Sequence, residues 1–255
     1  MSTVIEAHRP GMRSMLILIG AETKMVVRDT AGLVVPLGLP LLILLTSASA
    51  AGRTEIVNGR TALDLFVLPL VLAMVTATIG IINMPSFLAY YRRSGILRRL
   101  AVTPASPVMV LAAQAIVSLM QAAVGITLAL VVATLAFDAN PPVNPGAAIG
   151  VVALTMAAMY SIGMIVAAVA PTPNSAVAAG LVAFFALGAL GGMFGGRGGL
   201  PEPLAEIGSR LPFGAAVDAL SAAWAGTAVE GAPLLSLGIT VAVGATVAAL
   251  LFRWE

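Results

Sequence analysis

The feature that most constrains this chain is a series of long stretches without charge. Between Asp138 and Arg197 no residue is charged. A helix needs about 20 apolar residues to cross the hydrocarbon core of a bilayer, and six stretches approach or exceed this length: about 31–51, 63–88, 107–137, 146–170, 175–195 and 233–252. Of the 255 residues 60% are hydrophobic and 9% charged, too few charges to cover a soluble fold of this size. The sequence predicts an all-α integral membrane protein, with a single transmembrane domain over residues 1–255.

The composition also excludes several classes of function. The chain has no cysteine and one histidine, His8, so thiolate metal sites, cysteine nucleophiles and multi-histidine metal centres are not expected. We therefore predict no catalytic residue and no metal ligand. A net charge of +2 is too small to indicate nucleic-acid binding.

The distribution of Lys and Arg predicts the orientation in the membrane. If the N-terminus is inside, nine of the thirteen basic residues lie in cytoplasmic segments and four in external loops. Cytoplasmic loops are enriched in Lys and Arg. We expect a multi-pass protein of the cytoplasmic (inner) membrane, with both termini in the cytoplasm.

Residues 12–29 have the pattern of an amphipathic helix. A helical wheel places its apolar residues on one face: Met12, Met15, Leu16, Ile19, Val26 and Val27. Basic residues flank one side of this face, and Glu22 and Asp29 flank the other. The pattern predicts a helix lying in the membrane interface. The alternative is a cytosolic extension of the first span.

The second informative segment links spans two and three, and reads AYYRRSGILRRLAVTPASP over residues 89–107. Four arginines surround an apolar patch; Pro104 is expected to end a short helix and Pro107 to start the next one. One interpretation is a positive-inside loop that anchors to anionic lipid.

The third informative segment, 198–230, lies between spans five and six. Leu204, Ile207 and Leu211 recur at helical spacing before Pro212, and a second apolar stripe follows this proline. The pattern predicts two short amphipathic helices on the outer face.

This order of parts resembles the membrane subunit of ABC-2-type ABC exporters. The most specific similarities are RRSGILRRLAVTPAS, residues 92–106, and LPEPLAEIGSRLPFGAAVDAL, residues 200–220. The resemblance implies that the first of these is a cytoplasmic coupling helix that docks on an ATPase. Its expected contact residues are Arg92, Arg93, Gly95, Ile96, Leu97, Arg98, Arg99, Leu100, Thr103 and Pro104.

The resemblance also implies partners. No phosphate-binding G-x-x-x-x-G-K-[ST] motif occurs in the chain, so ATP hydrolysis is expected on separate nucleotide-binding subunits, which would hold ATP and magnesium. This chain would need no cofactor of its own. A second permease copy or a related permease would complete the membrane part.

Polar residues within the spans form two stripes. Gln114, Ser118 and Gln121 share one face of span three, and Thr76 and Asn83 share one face of span two with Gly80. Intramembrane polar groups usually face a bundle interior or a cavity. They are candidates for a translocation pathway; the alternative is that they only hydrogen-bond between helices.

An exporter of hydrophobic or amphipathic molecules, such as a drug, antibiotic or lipid-like substrate, is the function these features favour. The uncharged spans suit such cargo, and twelve arginines to one lysine are typical of a GC-rich bacterial genome, such as that of an actinobacterium, where similar permeases often export antibiotics and confer resistance by efflux. A secondary transporter or channel without an ATPase partner is the alternative, although every charged residue can be placed at or beyond a span end. A membrane-embedded enzyme using Ser or Asp is the third class.

Overall fold

The computed structural model describes residues 11–95 and 107–251, which form a helical bundle. Its helices are α1 (Met12–Arg28), α2 (Thr30–Ala50), α3 (Leu63–Arg93), α4 (Pro107–Phe137), α5 (Pro145–Val169), α6 (Pro173–Leu190), α7 (Glu202–Arg210), α8 (Pro212–Ala225) and α9 (Gly231–Leu251). Strands β1 (Glu55–Val57) and β2 (Arg60–Thr61) pair antiparallel between α2 and α3. Asn58 and Gly59 join them with positive φ angles of 51° and 71°, as an Asn-Gly hairpin turn requires.

Six of these helices, α2 to α6 and α9, are long and apolar enough to cross a membrane. This confirms the predicted all-α membrane fold. The bounds differ from the predicted ones mainly at two places. Helix α3 continues to Arg93, and α6 ends at Leu190, where a glycine-rich turn begins.

Helix α3 lies at the centre of the bundle and is almost entirely buried, whereas most side chains of the other five spans are not. It contains two π-helical stretches, Leu63–Val67 and Thr78–Asn83. A Cβ at Gly163 of α5 would overlap the carbonyl oxygen of Gly80 in the second stretch. Backbones therefore meet directly at this point, and small residues at such contacts are typical of membrane helix packing.

Helix α1 packs against the last turns of α3 and the first turns of α4. Val26 is buried against Phe87 and Val117, while Leu16 and Ile17 are exposed. An exposed apolar surface on a helix outside the spans fits the predicted place in the membrane interface. We call this part of the molecule, where α3 ends, the Arg92 end.

The opposite end of the bundle, where α3 begins, is called the Asp64 end. Here the link between α4 and α5 hydrogen-bonds to the end of α8: the amide of Asn144 donates to the carbonyl of Ala223 at 3.1 Å, and Trp224 Nε1 donates to the carbonyl of Asn140 at 3.2 Å. The hairpin joins them, because Asn58 Nδ2 donates to the carbonyl of Ala225 at 2.7 Å. Three segments distant in the chain are thus bonded into one cap.

Candidate functional site

Two of the predicted pathway residues meet in a polar node inside the bundle. Asn83 of α3 and Gln121 of α4 both donate to the carbonyl of Gly32 in α2, at 2.5 and 2.8 Å. Asn83 Nδ2 also lies 3.2 Å from Gln121 Oε1. Since both side chains are buried, these bonds join three spans at a single backbone oxygen.

The acceptor position of this node is closely packed. A Cβ on Gly32 would lie 2.7 Å from the Asp29 carboxylate and 3.2 Å from Asn83 Oδ1. The first turn of α2 therefore fits closely against both groups. The sequence showed two polar stripes but not that a third helix supplies their common acceptor.

The other three predicted pathway residues do not join the node. Thr76 is buried and donates to the carbonyl of Ala73 in its own helix at 2.8 Å. Ser118 is buried on α4, as is Gln114, whose Oε1 has no hydrogen-bond partner among the described residues. The stripes thus point into the protein, with one unpaired acceptor near the Arg92 end.

The predicted coupling segment begins where α3 ends. Its residues Arg92, Arg93 and Gly95 are described, and the remaining seven predicted contact residues, Ile96, Leu97, Arg98, Arg99, Leu100, Thr103 and Pro104, lie outside the described residues. Gly95 has a positive φ of 69°, and a Cβ added to it would meet no described atom within 4 Å, so it turns the chain at an open site.

Arg92 and Arg93 have different environments. Nη2 of Arg92 donates to the carbonyl of Ala170, the C-cap residue that follows α5, whereas Arg93 is exposed. A cation at a helix C-terminus satisfies a free carbonyl and interacts favourably with the helix dipole. A capping box between Thr172 and Ser175 then starts α6. Arg92 therefore connects the start of the predicted coupling segment to the turn between spans four and five.

A buried carboxyl lies close to this point, which corrects the expected polar position of Glu22. The side chain of Glu22 is buried, and Tyr91 donates to its Oε2 at 2.5 Å. Burial raises the pKa of Glu22, and the Tyr91 hydrogen bond partly offsets that rise. The signal was present in the sequence, because Glu22 is three residues after Ile19 and four before Val26, on the buried face of the helix.

A second buried carboxyl, Asp64, lies at the opposite end of α3. It accepts hydrogen bonds from the amide and hydroxyl of Thr61, at 3.0 and 3.2 Å, and from the amide and side chain of Asn140, at 2.8 and 3.1 Å. Four donors satisfy the group within the cap of the Asp64 end. Sequence reasoning placed Asp64 only near a span end, without a role.

The described residues hold no cluster of three or more His, Cys, Asp or Glu able to bind a metal ion. The geometry favours a mechanical role. Helix α3 is buried and contains part of the polar node, and Arg92 at its end bonds to the turn between α5 and α6. Such an arrangement can transmit displacement between the end of α3 and the core.

Comparison with known proteins gives the family. The family model of the ABC-2 type transporter matches residues 13–224, which include α1, five of the six spans and both short helices before the last span. No curated protein matches the chain. With a match over most of its length, and with six apolar helices of which α3 is the buried central one, the chain belongs to the ABC-2 type transporter family and is the membrane permease subunit of an ABC transporter.

Proposed function

We propose that this permease exports a hydrophobic or amphipathic molecule, such as a drug, antibiotic or lipid-like compound, from a bacterial cytoplasm. Separate ATPase subunits, which bind ATP and magnesium, energise it. A second copy of the chain or a related permease forms the other membrane half. Family membership supports the role of transport subunit, and the uncharged character of the spans supports apolar cargo.

The position of the coupling segment carries this proposal. Residues 96–106 directly follow α3, the one span whose side chains are almost all buried, and they lead into α4. Because packed interiors are dense, movement at the end of such a helix is passed to its neighbours. Arg92 extends the connection to the turn between α5 and α6.

The expected orientation is part of the proposal. Both termini and Gly95 lie in the cytoplasm, and Gly59 and Gly199 face outward across the cytoplasmic membrane. The chain has no native cysteine, so single substitutions report topology cleanly. A membrane-impermeant thiol reagent should label Gly59→Cys and Gly199→Cys in intact cells, and label Gly95→Cys only after lysis. Labelling of Gly95→Cys in intact cells would contradict the orientation.

The decisive experiment separates docking from a purely topogenic role of the segment. If Leu100 is buried against an ATPase, Leu100→Asp should abolish copurification of the ATPase, or leave ATP hydrolysis uncoupled from export, with expression and topology unchanged. Leu100→Met is the matched control, because it preserves volume and apolarity. Normal assembly and normal export by the Leu100→Asp protein would refute the coupling role.

A second candidate is a secondary transporter driven by protons without an ATPase. The observation that favours it is the buried Glu22, a carboxyl whose raised pKa suits proton exchange. The two candidates differ in their energy source. Export in vesicles that persists without ATP, requires a pH gradient and is lost in Glu22→Gln would establish the second candidate and exclude the first.

A further inference from the structure

A recess of about 480 Å³ opens at the Asp64 end, between α2, α3, α8 and the glycine-rich turn after α6. Its polar lining is contributed by four side chains: Ser47, Arg197, Asp218 and Ser221. We call it the Arg197 recess. The hydrogen-bond network described above uses none of these four residues.

The charged pair in the recess is incompletely satisfied. Nη2 of Arg197 bonds Oδ1 of Asp218, and the two side chains are 24% and 32% exposed. Nη1 of Arg197 is buried without a hydrogen-bond partner among the described residues. A guanidinium has five donors, so this one retains capacity for a further anionic acceptor.

The two hydroxyls of the recess are also unused. Ser47 and Ser221 make no side-chain hydrogen bond to any described residue. The hydroxyls on either side of Ser47 differ in this respect, since Thr46 and Ser49 each donate to a carbonyl of α2 at 2.8 Å. The recess therefore presents free hydroxyls beside a charged pair.

An exposed aromatic side chain borders the recess close to the ends of two spans. Phe66 lines the recess and is 59% exposed. Ser47 is three residues from the end of α2, and Phe66 three residues after the start of α3. At 1.5 Å per residue these positions lie about 5 Å from the helix ends, and the ends of a helix that spans a bilayer lie near the boundary between headgroups and hydrocarbon.

We propose that the Arg197 recess binds the headgroup of a zwitterionic phospholipid, a phosphate next to a primary ammonium, with the acyl chains lying along Phe66. Arg197 and the serine hydroxyls donate to the phosphate, and Asp218 accepts from the ammonium. Phosphatidylethanolamine has this chemistry. Phosphatidylcholine does not, because its quaternary ammonium has no hydrogen to donate, and phosphatidylglycerol carries no ammonium. The site is independent of ATP-driven export.

The test measures lipid retention by the purified chain. The protein is reconstituted in nanodiscs of mixed phosphatidylethanolamine, phosphatidylcholine and phosphatidylglycerol, extracted into detergent, and its bound lipids are quantified by native mass spectrometry. The intact protein should retain phosphatidylethanolamine preferentially. Loss of one charge-assisted hydrogen bond corresponds to about tenfold weaker binding. Arg197→Gln should therefore lower the retention of all three phospholipids, because each carries the phosphate, whereas Asp218→Asn should remove the preference for phosphatidylethanolamine.

Matched controls come from a second charged pair on the adjacent helix. Arg210 and Glu206 of α7 also form an ion pair, at 2.7 Å, but both are exposed and outside the recess. Arg210→Gln and Glu206→Gln should retain the lipid as the unmodified chain does. Ser221→Leu, which fills the recess and leaves both ion pairs, should lose it even if the Arg197 variant fails to fold.

Three results would overturn the proposal. Equal retention of phosphatidylethanolamine and phosphatidylcholine would remove the role of the ammonium. Unchanged retention in Ser221→Leu would place the lipid elsewhere. Complete displacement of the lipid by micromolar free phosphoethanolamine would show that the recess recognises a soluble phosphate-amine rather than a phospholipid.

Discussion

A carboxyl group is buried near each end of the central helix α3, and the two groups differ in the number of hydrogen bonds they accept. Asp64 accepts four hydrogen bonds from Thr61 and Asn140, two of them from backbone amides. Among the described residues Glu22 accepts one, from Tyr91, and burial raises the pKa of Glu22. A buried carboxylate with enough donors behaves as a fixed structural anchor, whereas one with few donors tends to take up a proton.

This difference matches the surroundings of the two groups. At the Asp64 end, three segments are bonded to one another around Asn140 and Trp224. At the Arg92 end, α1 packs on α3 through apolar contacts and the hydrogen bond from Tyr91 to Glu22. Arg92 donates a hydrogen bond to the carbonyl of Ala170 and so joins α3 to the end of α5. Among the described residues, the cap therefore has more hydrogen bonds between distant segments than the end at which the predicted coupling segment begins.

The largest effect on stability is expected from removing the carboxyl of Asp64, which accepts four hydrogen bonds. Asp64→Ala should lower the free energy of unfolding by about 3–5 kcal/mol, because it leaves two backbone amides without acceptors in a buried site. The apparent melting temperature in detergent measures this. Glu55→Ala is the control, because Glu55 is an exposed carboxylate in the hairpin that precedes α3, and it should change stability by less than about 0.5 kcal/mol. Equal effects of the two variants would remove the contrast between the ends.

A smaller and pH-dependent effect is expected at Glu22. Its pKa in the folded protein is raised above the ordinary value of 4.5, so the folded state binds the proton more tightly. Its contribution to stability is therefore complete below pH 4.5 and is lost as pH rises through the raised pKa. Glu22→Gln should remove this loss on raising the pH, as measured by melting temperature across the pH range.

Tyr91→Phe sharpens the same prediction. Without the tyrosine hydroxyl, which favours the charged form, the pKa of Glu22 should rise further and the pH-dependent loss of stability should extend to higher pH. The direct cost is about 1–2 kcal/mol, since one buried hydrogen bond is lost. An unchanged pH profile in both Tyr91→Phe and Glu22→Gln would show that Glu22 is not the titrating group.

The smallest effect is a difference in stability between variants of two adjacent arginines at the end of α3. Arg92→Ala should cost about 1 kcal/mol, because the carbonyl that ends α5 loses its cation. Arg93→Ala should cost less than about 0.5 kcal/mol, since Arg93 is exposed. Melting temperatures of the two variants measured side by side test this. Equal values would indicate that Arg92 makes no bond of consequence to Ala170.

Periodicity and length were enough to predict the spans, the helix of residues 12–28 and the paired helices before the last span. The two largest errors in these bounds are of similar size: α3 continues to Arg93 rather than ending near residue 88, and α6 ends at Leu190 rather than near residue 195. The local signal at the end of α6 is weak, because glycines are tolerated in membrane helices and the apolar pattern continues past the true end. The positions of Asn83 and Gln121 on stripes were likewise readable, but their shared acceptor on Gly32 was not.

The sequence by itself determined the class of structure, because an uncharged stretch of this length satisfies its backbone only as a helix in a bilayer. It also determined which faces are polar, since helical spacing is a property of the chain alone. Only the tertiary structure decided which helix is central, that Glu22 is buried under Tyr91, and that Arg92 bonds to Ala170 rather than remaining free. These depend on contacts between residues 69 and 78 positions apart, and no local pattern specifies such pairings.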